Sequence, residues 1–156
     1  SRRQRQMCIR DSFSAVRRNE TSPLTGHKTL NYGDCILEHR AAAAAGMDER
    51  IFLNTRGKLA EGTVSNLFLV SGGRIYTPAL SCGLLPGVLR AYLLERYRVE
   101  EGEIDQRELG SFDECFVTNS LMGVMPVKQL GERIFPSRET ADRLRSAYEA
   151  EKETLK

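Results

Sequence analysis

The sequence predicts a mixed fold, α+β or mixed α/β, and three observations carry that expectation. Short apolar runs bounded by turn formers crowd the middle of the chain, too apolar for strands with one wet face. Three other stretches carry helical patterning. Strands and helices do not alternate in a strict βαβ rhythm, and there is no internal repeat.

The elements follow in chain order. Residues 13–18, FSAVRR, are a short strand candidate, followed by NETSPLTGHK, rich in turn formers. Residues 33–45 read as a helix with Leu37, Ala41, Ala44 and Ala45 on one face, and Gly46 is a natural stop. Residues 50–54 form a short buried strand around Ile51, Phe52 and Leu53, and residues 58–60 are a further extended piece. Residues 66–70 and 74–77 flank Ser71-Gly72-Gly73, which reads as a β-hairpin that ends at Pro78. Pro86-Gly87 opens a second helix running to about Tyr97, with Leu89, Leu93 and Tyr97 on one side. A strand over 99–104, one or two helical turns over 106–112 and a strand over 114–118 come next, the last delivering Asn119 and Ser120 at its end. The final helix starts near Ser137, an N-cap with Glu139 in the first turn. Its apolar positions are Ala141, Leu144, Ala147 and Tyr148, and the tail EAEKETLK is expected to fray.

Composition narrows the class. The 156 residues suit one domain. With 40% hydrophobic and 28% charged residues the chain is neither disordered nor fibrous. A formal charge of +2, from 23 basic and 21 acidic residues, calls for neither nucleic acid nor an anionic membrane as partner. Cys8, Cys35, Cys82 and Cys115 form no CxxC pair, so a reduced, cytoplasmic setting is expected. Two histidines, His27 and His39, exclude a multi-histidine metal site, and no metal is expected. GxGxxG and GxxxxGK[ST] loops are absent. No apolar run approaches the roughly eighteen residues of a membrane span. Residues 1–12, SRRQRQMCIRDS, are basic and aperiodic and are expected to be a disordered or foreign basic arm.

Four segments point further: LTGHKTLNY at 24–32, EGTVSNLFLVSGGRIYTP at 61–78, LLPGVLR at 84–90 and FVTNSLMGVMPV at 116–127. In this order and at these spacings the chain, over roughly residues 13–148, resembles the class IV aminotransferase-like family, the fold type IV pyridoxal-phosphate enzymes. That family includes branched-chain and D-amino-acid aminotransferases and 4-amino-4-deoxychorismate lyases. The resemblance implies a strand-rich pseudo-barrel with flanking helices, the large C-terminal domain of these enzymes, over 13–150. It implies that the family's small N-terminal domain, which lends an arginine to the cofactor phosphate, is absent from this chain. It also implies a homodimer acting on a small-molecule amino substrate.

The resemblance assigns roles residue by residue. Lys28 would carry pyridoxal 5′-phosphate covalently and then move protons, because a primary amine can both form an imine and act as a base. Taken alone, Lys28 would read as a solvated loop lysine. Glu61 matches the carboxylate that faces the pyridine nitrogen and keeps it protonated, favouring the cofactor's electron-sink role. Otherwise it would read as a surface glutamate. Tyr32 matches the tyrosine near the phenolic oxygen, with packing as its plain alternative, and Asn31 could cap the following helix. Backbone N–H groups of Val88 and Leu89 would hold the phosphate at a helix N-terminus, with Gly87 allowing close approach. Ser120 stands where the family places a small hydroxyl or a phosphate-contacting amide. Thr63, Val64 and Ser65 are expected on the cofactor face by position. Asn66 is expected to order a turn, and Asn119 either to do the same or to touch substrate. Arg90 divides between a charge network and a solvated helix position. His27, adjacent to Lys28, is expected to point away from it, and Cys82 to be non-catalytic.

The segment VTNSLMGVMPV resembles the aminodeoxychorismate lyases more than the branched-chain aminotransferases, which more typically carry an alanine-rich run with a glutamate before a threonine-proline pair. The expected reaction is therefore conversion of 4-amino-4-deoxychorismate to 4-aminobenzoate and pyruvate, for folate synthesis. The alternatives are a D- or branched-chain amino-acid aminotransferase, or a truncated, catalytically incomplete domain with a structural role.

Overall fold

The computed structural model describes residues 8–28 and 33–154 of the chain. Nine strands and three helices are present among them: β1 (Ile9–Arg18), α1 (Gly33–Ala44), β2 (Glu49–Asn54), β3 (Leu59–Gly62), β4 (Asn66–Ser71), β5 (Arg74–Pro78), α2 (Val88–Arg96), β6 (Val99–Gly102), β7 (Glu114–Asn119), β8 (Gly123–Leu130), β9 (Arg133–Ile134) and α3 (Glu139–Thr154). Short 3-10 helices cover Leu80–Cys82 and Gln106–Ser111.

The strands run in the order β3-β2-β1-β8-β7-β4, and β3 pairs back onto β4, closing a six-strand ring. One edge of β4 is paired to β7 along its length, from Asn66↔Thr118 to Val70↔Glu114. Its other edge is divided. Asn66 pairs with Glu61 of β3, and Leu69–Ser71 pair with β5. The arm β5-β6 therefore leaves the barrel from the middle of β4.

Period-two alternation explains why the strand sequences are apolar throughout. One set of alternate residues fills the ring: Ile51 and Leu53, Leu67 and Leu69, Cys115 and Val117, Met125 and Val127 belong to one buried cluster. The other set faces the helices. Phe68, Phe116 and Val124 pack with Leu93 of α2 and with Ala141 and Leu144 of α3. Phe52 and Ala60 pack with Cys35 of α1. With both faces covered, neither face needs polar residues.

Several expectations are corrected. The order keeps no strict βαβ rhythm, as expected, but it contains two unanticipated crossover units, β1-α1-β2 and β5-α2-β6, each joining parallel strands through a helix. The buried face of α1 is Cys35 and Ala42, while Leu37 is 63% exposed, so the alanine run is not its packing stripe. β1 starts at Ile9, with Ile9 and Asp11 buried, so the last residues of the basic stretch 1–12 belong to the barrel. α3 continues to Thr154 through most of the tail expected to fray, with Ala147 exposed. β8 and β9 were not anticipated. Pro126 discourages a strand reading, yet β8 tolerates it: pairing with β7 includes Phe116↔Pro126, whereas pairing with β1 begins at Val127 among the described residues.

Phe68 and Phe116 stack across β4 and β7 at 4.9 Å, and neither is exposed. Phe116→Ala is expected to lower unfolding stability by about 3–5 kcal/mol, read from urea denaturation midpoints.

Candidate active site

The barrel's mouth opens into a cavity of about 1010 Å³. Its wall is assembled from the end of β1, the 19–28 loop, α1, the β3–β4 turn, the start of α2 and the end of β7. Lys28, Glu61, Val88, Leu89 and Ser120 all line it. Five residues scattered over more than ninety positions are thus brought to one space. Tyr32 and Asn31 lie outside the described residues. Thr63, Val64 and Ser65 also line the cavity, as does His27, which was expected to point away.

Glu61 is 6% exposed. Its Oε1 lies 3.2 Å from Nη2 of Arg18, and its Oε2 accepts the Leu85 N–H at 3.0 Å. Burial nevertheless dominates and pushes its carboxyl up to about 7, against the lowering effect of Leu85 N–H and Arg18. Desolvation of the charged form outweighs one amide and one guanidinium. The carboxylate therefore favours a further cationic partner on its cavity side.

Across the cavity α2 begins at Gly87, whose backbone is extended (φ −67°, ψ 157°) and whose side makes no cap. The first-turn N–H groups of Val88 and Leu89 precede the start of the helical ladder and suit an anion. Gly87 N–H donates to Asn66 Oδ1 at 3.1 Å, and Asn66 Nδ2 donates to Leu85 O at 2.8 Å. A Cβ on Gly87 would stand 2.5 Å from Asn66 Oδ1. The glycine is required for this approach of Asn66, a closer reason than approach of a phosphate. Asn66 does more than order its own turn, because it clamps the loop that starts α2.

A family model for amino-transferase class IV matches residues 2–130. The chain belongs to that family. The aminodeoxychorismate lyase of Bacillus subtilis is 31% identical over 123 residues, covering 76% of this chain and 42% of that protein. A solved 4-amino-4-deoxychorismate lyase from Pseudomonas aeruginosa superposes with a TM-score of 0.86 at 31% identity, over 96% of this chain and 57% of that one. The branched-chain aminotransferase of Thermoproteus uzoniensis, solved with norvaline, superposes with a TM-score of 0.84 at 26% identity, over 93% and 51%. The chain thus spans about half the length of these relatives.

Class IV aminotransferases and aminodeoxychorismate lyases depend on pyridoxal phosphate. The class IV cavity described above fits that group. A buried carboxylate favouring a cation suits a pyridinium, a helix start with free N–H groups suits a phosphate, and a lysine on the same wall suits the aldehyde carbon. Among the described residues no group of three His, Cys, Asp or Glu side chains could hold a metal ion. No helix there is long and apolar enough to cross a membrane.

Sequence reasoning missed three residues of this site. Arg18 pairs with Glu61, stands over the Phe52 ring at 5.4 Å and approaches Cys35 Sγ at 3.9 Å. His39 lines the cavity from α1, and Glu49 lies behind the β3–β4 turn. Each sits outside the four recognisable segments, and no local pattern marks it. Of the ambiguous residues, Arg90 is buried, donating to Pro78 O at 3.1 Å and pairing with Glu101 at 2.6 Å. Asn119 orders its turn, accepting from Leu121 and Met122 N–H and donating to Val64 O at 3.1 Å. Cys82 is buried, which pushes its thiol up and leaves it unreactive.

Glu61 gives a pH signature. The folded protein holds its proton up to about 7, the unfolded chain only to about 4.5. Its contribution is fully present below 4.5 and is lost as pH rises through 7. The cofactor-free protein is expected to lose about 3 kcal/mol across that window, and Glu61→Gln to remove the slope, as read by denaturation at a series of pH values.

Proposed function

We propose that this chain is the cofactor-binding part of a pyridoxal-phosphate lyase. The enzyme would convert 4-amino-4-deoxychorismate to 4-aminobenzoate and pyruvate for folate synthesis, as a cytoplasmic homodimer. The observation that carries the reading is that Lys28, Glu61 and the start of α2 share one cavity. Pyridoxal phosphate, when bound, supplies an electron sink for the carbon next to the substrate amine.

The chain's own groups do the rest. Lys28 Nζ would be the covalent anchor for the cofactor and, when free, the base at the reacting carbon. It would take the ring proton as the three-carbon side chain leaves as enolpyruvate, which would take up a proton to become pyruvate. Glu61 holds a negative charge at the pyridine nitrogen. The N–H groups of Val88 and Leu89 would hold the phosphate, and the Ser120 hydroxyl would add a donor at the same end. Tyr32 would stand at the phenolic oxygen.

Three observations support the lyase branch. The segment 116–127 resembles the lyases, and two of the relatives above carry that name. The cavity wall carries Arg17 and Arg40 in addition to the Glu61-paired Arg18, and these two suit a substrate with two carboxylates. A second reading, an aminotransferase for D- or branched-chain amino acids, is favoured by the Thermoproteus relative and by Ile36, Val64 and Leu85 on the same wall. It needs an α-keto acid as second substrate.

Mixing the purified protein with pyridoxal phosphate is expected to give a visible band that Lys28→Ala abolishes, and borohydride reduction to leave a cofactor-sized mass on the Lys28 peptide. Absence of label on Lys28 sinks the reading. With 4-amino-4-deoxychorismate, pyruvate release that needs no keto acid supports the lyase. Turnover only with an added keto acid makes the protein an aminotransferase.

A further inference from the structure

Glu49 opens β2 and is 1% exposed. It sits outside the cavity wall, yet five donors converge on its carboxylate. Oε1 accepts from Arg50 N–H at 2.9 Å, from Thr63 N–H at 3.2 Å and from the Thr63 hydroxyl in a short hydrogen bond. Oε2 accepts from the Ser65 hydroxyl at 3.0 Å and from Val64 N–H at 3.3 Å. Four of the five donors belong to the turn joining β3 to β4. Gly62 completes the fit. A Cβ there would stand 2.8 Å from Glu49 Oε2 and collide with Ser65 Oγ.

The network continues into the cavity. Thr63 Oγ1 lies 3.3 Å from Nδ1 of His39, which lines the cavity from α1. A hydroxyl has one proton. Thr63 gives it to Glu49, so toward His39 its oxygen can only accept. In a neutral His39 ring Nδ1 must then carry the proton, which leaves Nε2 as the acceptor. The neighbouring α1 residue Glu38 is engaged elsewhere, with Ser14 and Arg50 at 2.5 and 3.0 Å.

We propose that Glu49 is a positioning residue for this site: it holds Gly62–Ser65 against β2 and, through the Thr63 hydroxyl, fixes the His39 ring in its Nδ1–H form. The turn it holds separates Glu61 from Asn66, so the pyridine partner and the clamp on α2 both depend on it. The inference rests on the pyridoxal-phosphate reading above for its functional consequence.

Two variants test it. Glu49→Gln keeps the shape but turns an NH₂ toward donors, and Thr63→Val keeps the volume but removes the linking hydroxyl. Side-chain ¹⁵N NMR of His39, at a pH where its ring is neutral, reads the tautomer without cofactor. The expected result is an Nδ1–H ring in the wild type and a shift to Nε2–H in both variants. Titration of the Lys28-dependent band should show a Kd for pyridoxal phosphate at least about tenfold higher in both, since a displaced hydrogen-bonding wall costs roughly a factor of ten or more. If Glu49→Gln does not fold, Thr63→Val decides alone. An unchanged tautomer and an unchanged Kd in a folded Thr63→Val overturn the proposal while leaving the cofactor reading intact. A wild type with no Lys28-dependent band overturns the cofactor reading, and the proposal with it, whatever His39 does.

Discussion

The closure of the barrel depends on one pairing, Glu61 with Asn66. β4 commits the far half of the same edge to β5, so the ring can close only at its first residue. The connection from β3 must then be as short as Gly62–Ser65. Except for Val64 its residues are buried, and buried N–H groups need acceptors. Glu49 accepts from the Val64 N–H and shares the Thr63 N–H with Arg50 O, and the Gly62 N–H is satisfied by Ser65 O at 2.9 Å. The turn that completes the barrel is the turn that flanks the chemistry, so fold closure and site geometry are one constraint.

That constraint places buried charges at the cavity, and their balance differs from residue to residue. Glu49 is met by five uncharged donors from backbone and hydroxyl groups. Glu61 has one amide and one guanidinium, and burial still prevails. A charge that the protein satisfies completely is fixed in place and serves structure. One that is left short of partners favours a ligand that brings the missing charge. On this basis Glu49 suits support and Glu61 suits binding a cationic group, although both are acidic and buried.

The strands of the ring were legible where both faces are apolar, because IFLN, NLFLV and ECFVT leave little room for another reading. Their closure was not. A ring needs strand order, and β8 reaches its place between β1 and β7 with a proline in its middle and a lysine, Lys128, on its exposed side. The α1 face was misread because five successive alanines look alike in every direction, and only Cys35 and Ala42 are buried. At the site, Lys28, Glu61, Val88, Leu89 and Ser120 were reached through resemblance, since a lysine in TGHKT has no local mark of reactivity. Arg18, His39 and Glu49 escaped because their roles arise from contacts 43, 24 and 14 residues away, which no local pattern records.

The segment that best separates the lyases from the aminotransferases in sequence has little contact with the cavity. Of residues 116–127, only Thr118, Asn119 and Ser120 line it. Val124, Met125 and Val127 are buried in the two apolar clusters, and Leu121 is 87% exposed. Asn119 folds the turn rather than facing a substrate. A lyase-like segment there marks the way β7 returns into β8 and seats Ser120, which under the proposed reading would lie at the phosphate end. Choice of substrate would then fall to groups on the opposite wall, which the 19–28 loop and α1 contribute. Arg40, Asp34 and Ile36 stand on that wall within a few residues of one another. A cationic, an anionic and an apolar side chain on one short helix offer contacts to a carboxylate, an amine and a hydrocarbon. The balance among them, more than the barrel or the cofactor cradle, is where the two activities would part.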